Sequence, residues 1–115
     1  MVHGPGDARV ESVPVPSPAA GELLVRVDRV GICGTDLELF TGEMAYFRLG
    51  RTHHPLRLGH EWTGTVLTAG SASEGLWVGR RVIGDTMLGC GACAACRAGR
   101  QHVCADRSEV GITDG

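Results

Sequence analysis

Residues 21–36, GELLVRVDRVGICGTD, decide how this chain folds. Leu23, Val25 and Val27 alternate with Leu24, Arg26 and Asp28, the period of two that gives an extended strand one buried face. The pattern predicts a strand that opens after a turn at residues 20–21 and runs to about Ile32. Cys33 follows between Ile32 and Gly34, so a thiol is presented where the strand stops. Thr35 and Asp36 carry side-chain oxygens that can satisfy orphan backbone N–H groups, which predicts a short helix over residues 37–40, ended by Gly42.

Working outward, residues 8–15 alternate around Val10, Val13 and Val15 and read as a first strand, interrupted by Pro14, Pro16 and Pro18. Residues 43–58 hold Gly50, Pro55 and paired histidines with no sustained period, which predicts a long irregular loop beside a substrate or a partner. Strand character returns at residues 61–69, with Trp62, Thr65, Val66 and Leu67, and at 81–84 around Val82 and Ile83. Short strands, 18 glycines and only five aromatic side chains predict a mainly β, partly open barrel with short helices and a core of Val, Leu and Ile.

At 115 residues and 43% hydrophobic content, the chain is the size of one globular domain, residues 1–115. The net charge is −2, and all eleven basic residues are arginines scattered from Arg9 to Arg107. Such a distribution gives no footprint for nucleic acid or for an anionic membrane. Met1 to Gly6 lacks the regions of a signal peptide and no long apolar run occurs, so a cytoplasmic location is expected.

Four of the five cysteines fall in the segment around residues 89–105 as C-x2-C-x2-C-x7-C: Cys90, Cys93, Cys96 and Cys104. Small neighbours, Gly89, Gly91, Ala92, Ala94 and Ala95, let the backbone wrap an ion, and little else in the segment could form a core. Four thiolates suit a structural zinc, whose closed tetrahedral shell contributes folding energy. An iron–sulfur cluster is the competing reading, although its closely spaced cysteine run continues with x3-C-P, whereas here the gap is longer and Ala105 follows. Free or disulfide-paired cysteines are the bland alternative. Arg97, Arg100 and Arg107 stand near enough in sequence to offset the charge of a four-thiolate site, and equally fit an exposed surface.

A second constellation joins Cys33 with His60 and Glu61, each at a strand-to-loop junction. Thiolate, imidazole and carboxylate are the ligand types of a catalytic zinc that keeps a position open. Asp36 is placed to orient one of these ligands, and Thr35 to carry a hydroxyl proton. Taken alone, a buried cysteine is as readily a small hydrophobe. His53 and His54 are further candidates for a proton relay, against the plainer reading of solvated loop histidines. Met44, Tyr46 and Phe47 are candidates for lining a substrate pocket or capping a neighbouring domain, and Trp62 and Trp77 for core or domain-interface packing.

Taken together, GELLVRV at residues 21–27, GICGTD at 31–36, GHE at 59–61, VGRRV at 78–82 and the four-cysteine lobe resemble the zinc-containing medium-chain alcohol and polyol dehydrogenases. The sorbitol and threonine dehydrogenase branches are the nearest in pattern. The resemblance implies a chaperonin-10-like (GroES-like) barrel and a catalytic zinc on Cys33 and His60, with Glu61 as a ligand or close neighbour. It implies Thr35 as the first member of a proton relay and Cys90, Cys93, Cys96 and Cys104 as the structural zinc shell. The implied activity is oxidation of a secondary alcohol or polyol to a ketone, or the reverse, with NAD(P) as hydride acceptor.

The chain departs from the family at Arg80, where Asp is common. No G-x-G-x-x-G fingerprint occurs in these residues, so NAD(P) would be held by a Rossmann domain lying downstream. Residues 113–115 offer neither a helix C-terminus nor a clear domain-ending element, and the chain reads as cut there. On this reading the partners are a small alcohol or polyol, the downstream domain and, as for many such enzymes, further copies of the chain. The alternative is a stand-alone zinc-stabilised binding or assembly module without catalysis.

Overall fold

The computed structural model describes residues 1–113; Asp114 and Gly115, the last two residues of the expected domain, lie outside the described residues. The chain divides into two compact units, one of residues 1–10, 32–60 and 85–115, the other of 11–31 and 61–84.

The second unit is an antiparallel sheet. The strand expected from the decisive stretch, β3 (Leu23–Val30), pairs with β4 (Trp62–Ala69), which pairs in turn with β5 (Arg81–Ile83). Val25 stands opposite Val66, which is fully buried. The register slips between Leu24 and Val25 and again between Val27 and Arg29. These bulges interrupt strict alternation, since an extra residue on one strand re-aims the side chains beyond it. The second slip brings Asp28 within reach of the Thr65 hydroxyl, which donates to it at 3.2 Å. Gly64 must be glycine, because a Cβ there would sit 2.5 Å from the Arg26 carbonyl oxygen. The connection between β4 and β5 contains a 3₁₀ turn, Ala72–Trp77. Trp62 packs over Gly84, whereas Trp77 is half exposed with the Arg80 guanidinium 5.7 Å from its ring centre.

The strand expected at residues 8–15 does not form. Only β1 (Val2–Gly4) and β2 (Asp7–Ala8) pair near the N-terminus, and residues 9–19 have no regular structure. Val10 and Val15 are largely exposed, so the alternation has no buried face to serve. Three prolines within five residues also remove ladder donors.

The first unit carries the hydrophobic cluster. Helix α1 (Gly34–Thr41) buries Leu39 completely against Leu56 and Ile112. Its N-cap is Cys33, two residues ahead of the expected Thr35–Asp36 start. Asp36 caps from the third helical position instead, where its Oδ2 accepts from the Cys33 N–H at 2.9 Å. Gly42 ends the helix in the left-handed region, at φ 80°. The loop at 43–58 contains a single helical turn, α2 (Ala45–Arg48). Met44, Tyr46 and Phe47, at and around this short helix, are partly buried and pack on the Leu39 cluster. His54 stacks on Phe47 at 4.5 Å, and His53 is exposed. A small ladder of β6 (Met87–Leu88) with β7 (Ser108–Glu109) brackets the cysteine lobe, which holds the short helix α3 (Ala94–Arg97) and a 3₁₀ turn at Gln101–Val103.

Candidate metal centres

Cys90, Cys93, Cys96 and Cys104 come together, with their sulfurs within 4.8 Å of one another. Backbone folding accomplishes this. The Cys93 N–H points to the Cys90 sulfur at 3.4 Å, the Cys96 N–H to the Cys93 sulfur at 3.5 Å and the Cys90 N–H to the Cys104 sulfur at 3.5 Å. Such N–H···S contacts orient thiolates and stabilise their charge. Gly89 packs directly under the Cys96 sulfur, which would stand 2.6 Å from a Cβ at that position.

The Cys93 and Cys104 sulfurs lie 3.8 Å apart. Two sulfurs each about 2.3 Å from one zinc at the tetrahedral angle would be separated by about 3.8 Å. Spacing and donor set therefore fit a four-thiolate zinc. The protein environment divides the thiols: N–H groups of Ala92 and Cys93, with the Cys104 thiol, pull Cys90 down to about 7, while burial, reinforced by the neighbouring thiols, pushes Cys96 up to about 12. Below that range Cys96 keeps its proton until a cation displaces it, so zinc binding at neutral pH releases protons and weakens as pH falls. Arg107 does not face the cluster charge as a free cation. Its guanidinium is held by Glu109 at 3.0 Å and by the Cys104 carbonyl at 3.3 Å.

The second group consists of Cys33, Asp36 and His60, with ligand atoms again within 4.8 Å of one another. The Cys33 sulfur and His60 Nε2 lie 3.2 Å apart. Two such ligands on one zinc would stand about 3.5 Å apart, so sulfur and imidazole can share an ion with little movement. On the other side of the ring, Asp36 Oδ1 lies 3.4 Å from His60 Nδ1, and both side chains are buried. A carboxylate behind a ligating imidazole fixes its tautomer and orientation. Asp36 thus does two jobs from one helix turn: it caps α1 through Cys33 and it faces His60.

Thr35 is half buried on that same first turn. Thr86, which sequence reasoning missed, donates its hydroxyl to the His60 carbonyl at 2.9 Å and holds the backbone of this ligand. Nothing in the local pattern of residues 85–88 marks it. Glu61 opens the second unit, where its carbonyl accepts from the Gly31 N–H at 2.6 Å and its side chain lies beside Gly31.

Asp36→Asn keeps the size of the side chain but removes its charge from His60. Zinc affinity at this site should fall about 10- to 100-fold, measured by chelator competition, with the four-cysteine zinc unaffected.

Residues 19–115 match the family described as the alcohol dehydrogenase GroES-like domain. The chain belongs to the zinc-containing medium-chain alcohol dehydrogenases, as their N-terminal GroES-like domain. This GroES-like domain is 39% identical over 104 residues to the L-threonine 3-dehydrogenase of Xanthomonas oryzae, covering 90% of this chain and 30% of that protein. Among solved structures it resembles the alcohol dehydrogenase of the hyperthermophilic archaeon Aeropyrum pernix, with 33% identity and a TM-score of 0.84, covering 98% of this chain and 33% of the other. It also resembles a protein of Sinorhizobium meliloti 1021 described as a zinc-binding dehydrogenase and solved with NADP. There the identity is 38% and the TM-score 0.79, over 98% of this chain and 31% of the other. The domain thus spans about a third of the length of these relatives. The mainly β fold with short helices and a cysteine lobe is the one expected from the sequence. Among the described residues, no helix is long and apolar enough to cross a membrane.

Proposed function

We propose that this domain is the catalytic part of an NAD(P)-dependent dehydrogenase that oxidises a secondary alcohol, polyol or amino alcohol to a ketone, or runs the reverse. The convergence of the half-buried Cys33 with the buried His60 and Asp36 carries this reading. Cys33 and His60 would hold a zinc ion, with Glu61 as ligand or close neighbour, and the ion would supply the Lewis acidity that stabilises an alkoxide. Asp36 orients the His60 ring from behind. Thr35, on the adjacent helix turn, serves as the hydroxyl through which the alcohol proton leaves.

The hydride acceptor would sit on a nicotinamide-binding Rossmann domain downstream of residue 115, and the enzyme would work in the cytoplasm, where the five cysteines stay reduced. The likeness to threonine dehydrogenases favours an amino alcohol among the substrate classes. The test is metal content by elemental mass spectrometry on protein purified without chelator. Two zinc ions per chain are expected. A single zinc would leave a structural module, and iron with sulfide would refute the dehydrogenase reading.

A further inference from the structure

We propose that a hollow beside the cysteine lobe, distinct from both metal centres, binds a small monocarboxylate. It has a volume of about 310 Å³ and is lined by Arg51, Ala105, Arg107, Ser108, Glu109 and Thr113, all within the first unit.

The lining is ordered by a buried acid. Glu109 on β7 is only 4% exposed. It accepts from Arg107 Nε at 3.0 Å and from the Tyr46 hydroxyl at 3.3 Å. The Glu109 charge is therefore already answered. Arg107 is held from a second side by the Cys104 carbonyl, and its fork retains N–H donors beyond these two bonds. Thr113 closes the rim, with its hydroxyl oxygen accepting from the Glu109 N–H at 2.8 Å.

Arg51 is the group left over. Its guanidinium carbon lies 5.2 Å from the centre of the Tyr46 ring, a cation–π placement that limits its freedom. Among the described residues no acceptor takes a hydrogen bond from that guanidinium, and none pairs with the Ser108 hydroxyl. The described lining thus carries two arginines against one carboxylate, leaving one net positive charge beside a free hydroxyl.

This balance selects the ligand class. A guanidinium matches a carboxylate in two parallel hydrogen bonds, and a monoanion cancels the single surplus charge. A phosphate dianion would bring a second charge up against Glu109. Because Glu109 holds Arg107 and the Tyr46 ring restricts the exposed Arg51, part of the side-chain freedom is already lost before binding.

Amide chemical shifts of the zinc-loaded protein, followed by nuclear magnetic resonance during titration with sodium acetate, inorganic phosphate or sodium chloride at matched ionic strength, test the site. Acetate should shift Arg51, Arg107, Ser108 and Thr113 saturably, with a Kd on the order of millimolar, and phosphate should bind more weakly. Arg51→Ala should bind acetate about tenfold more weakly while keeping its zinc and the amide pattern elsewhere. Ser108→Ala should lose a few-fold, which keeps the site testable if the arginine variant fails to fold. Shifts that follow ionic strength without saturating, tighter binding of phosphate, or unchanged acetate affinity in the folded variants would overturn the proposal.

Discussion

Cys93→Ser should lose one zinc ion per chain and lower the free energy of unfolding by about 4 kcal/mol or more. The size of the effect follows from how the lobe is held. Among residues 89–104 only Cys104 is buried. The short helix α3 and the 3₁₀ turn that follows it cannot stand alone at such lengths. What joins them is the convergence of four sulfurs from one end of the segment to the other. Cys93 sits at its centre, because its sulfur caps α3 by accepting from the Cys96 N–H and lies 3.8 Å from Cys104. Serine could still cap the helix, but as a neutral hydroxyl it would be a poor zinc ligand. Denaturant unfolding with parallel zinc analysis measures both effects. Retention of full zinc and native stability would show that the lobe is held by something else.

The ease of reading this lobe from the sequence has a physical basis. Metal ligation imposes short, fixed spacings on a few reactive side chains, and no hydrophobic pattern competes with that signal in residues 89–104. Strands β3 and β4 were legible because a period of two marks extended chain, but the buried face that the alternation implied is met only in β4, at Gly64 and Val66; no residue of β3 is buried, and Val27 is 49% exposed. The same rule failed at residues 8–15, where Val10, Val13 and Val15 alternate without a face to bury. Alternation records burial only where a partner strand exists, and the prolines there prevent one. The cap of α1 was misplaced because a cysteine is an unusual N-cap and Asp36 acts from inside the helix, three residues further on.

Tertiary pairings were less accessible. Ligand type and strand-end position suggested Cys33 and His60 as a pair, but only resemblance to the dehydrogenases gave that pairing weight, because residues 27 apart leave no local trace of their contact. The Tyr46–Glu109 hydrogen bond, 63 residues apart, left none at all. A buried glutamate flanked by Arg107 and followed by a glycine turn reads as ordinary surface until the fold places the tyrosine over it.

Cys33→Ser separates the two metal centres. On the proposed function, the variant should keep the four-cysteine zinc, lose the second zinc, and abolish alcohol-dependent reduction of NAD(P)+ when the domain is joined to a nicotinamide-binding domain. The rate should fall by at least about 10³-fold, since loss of the Lewis acid removes several kcal/mol of charge stabilisation at the developing alkoxide. Stability should change little by comparison. Cys33 is half buried at the N-cap of α1, and the bond that caps this helix runs from its backbone N–H to Asp36, which serine preserves. The core beneath the helix rests on Leu39, Leu56 and Ile112, none of which the change touches. The thermal midpoint of the variant, its zinc content and its activity therefore form a joint test. Loss of activity with one zinc gone and the midpoint nearly unchanged assigns the sulfur to the reaction. Loss of both zinc ions with a collapsed midpoint would make Cys33 structural, and full activity with one zinc would remove the metal from the chemistry altogether.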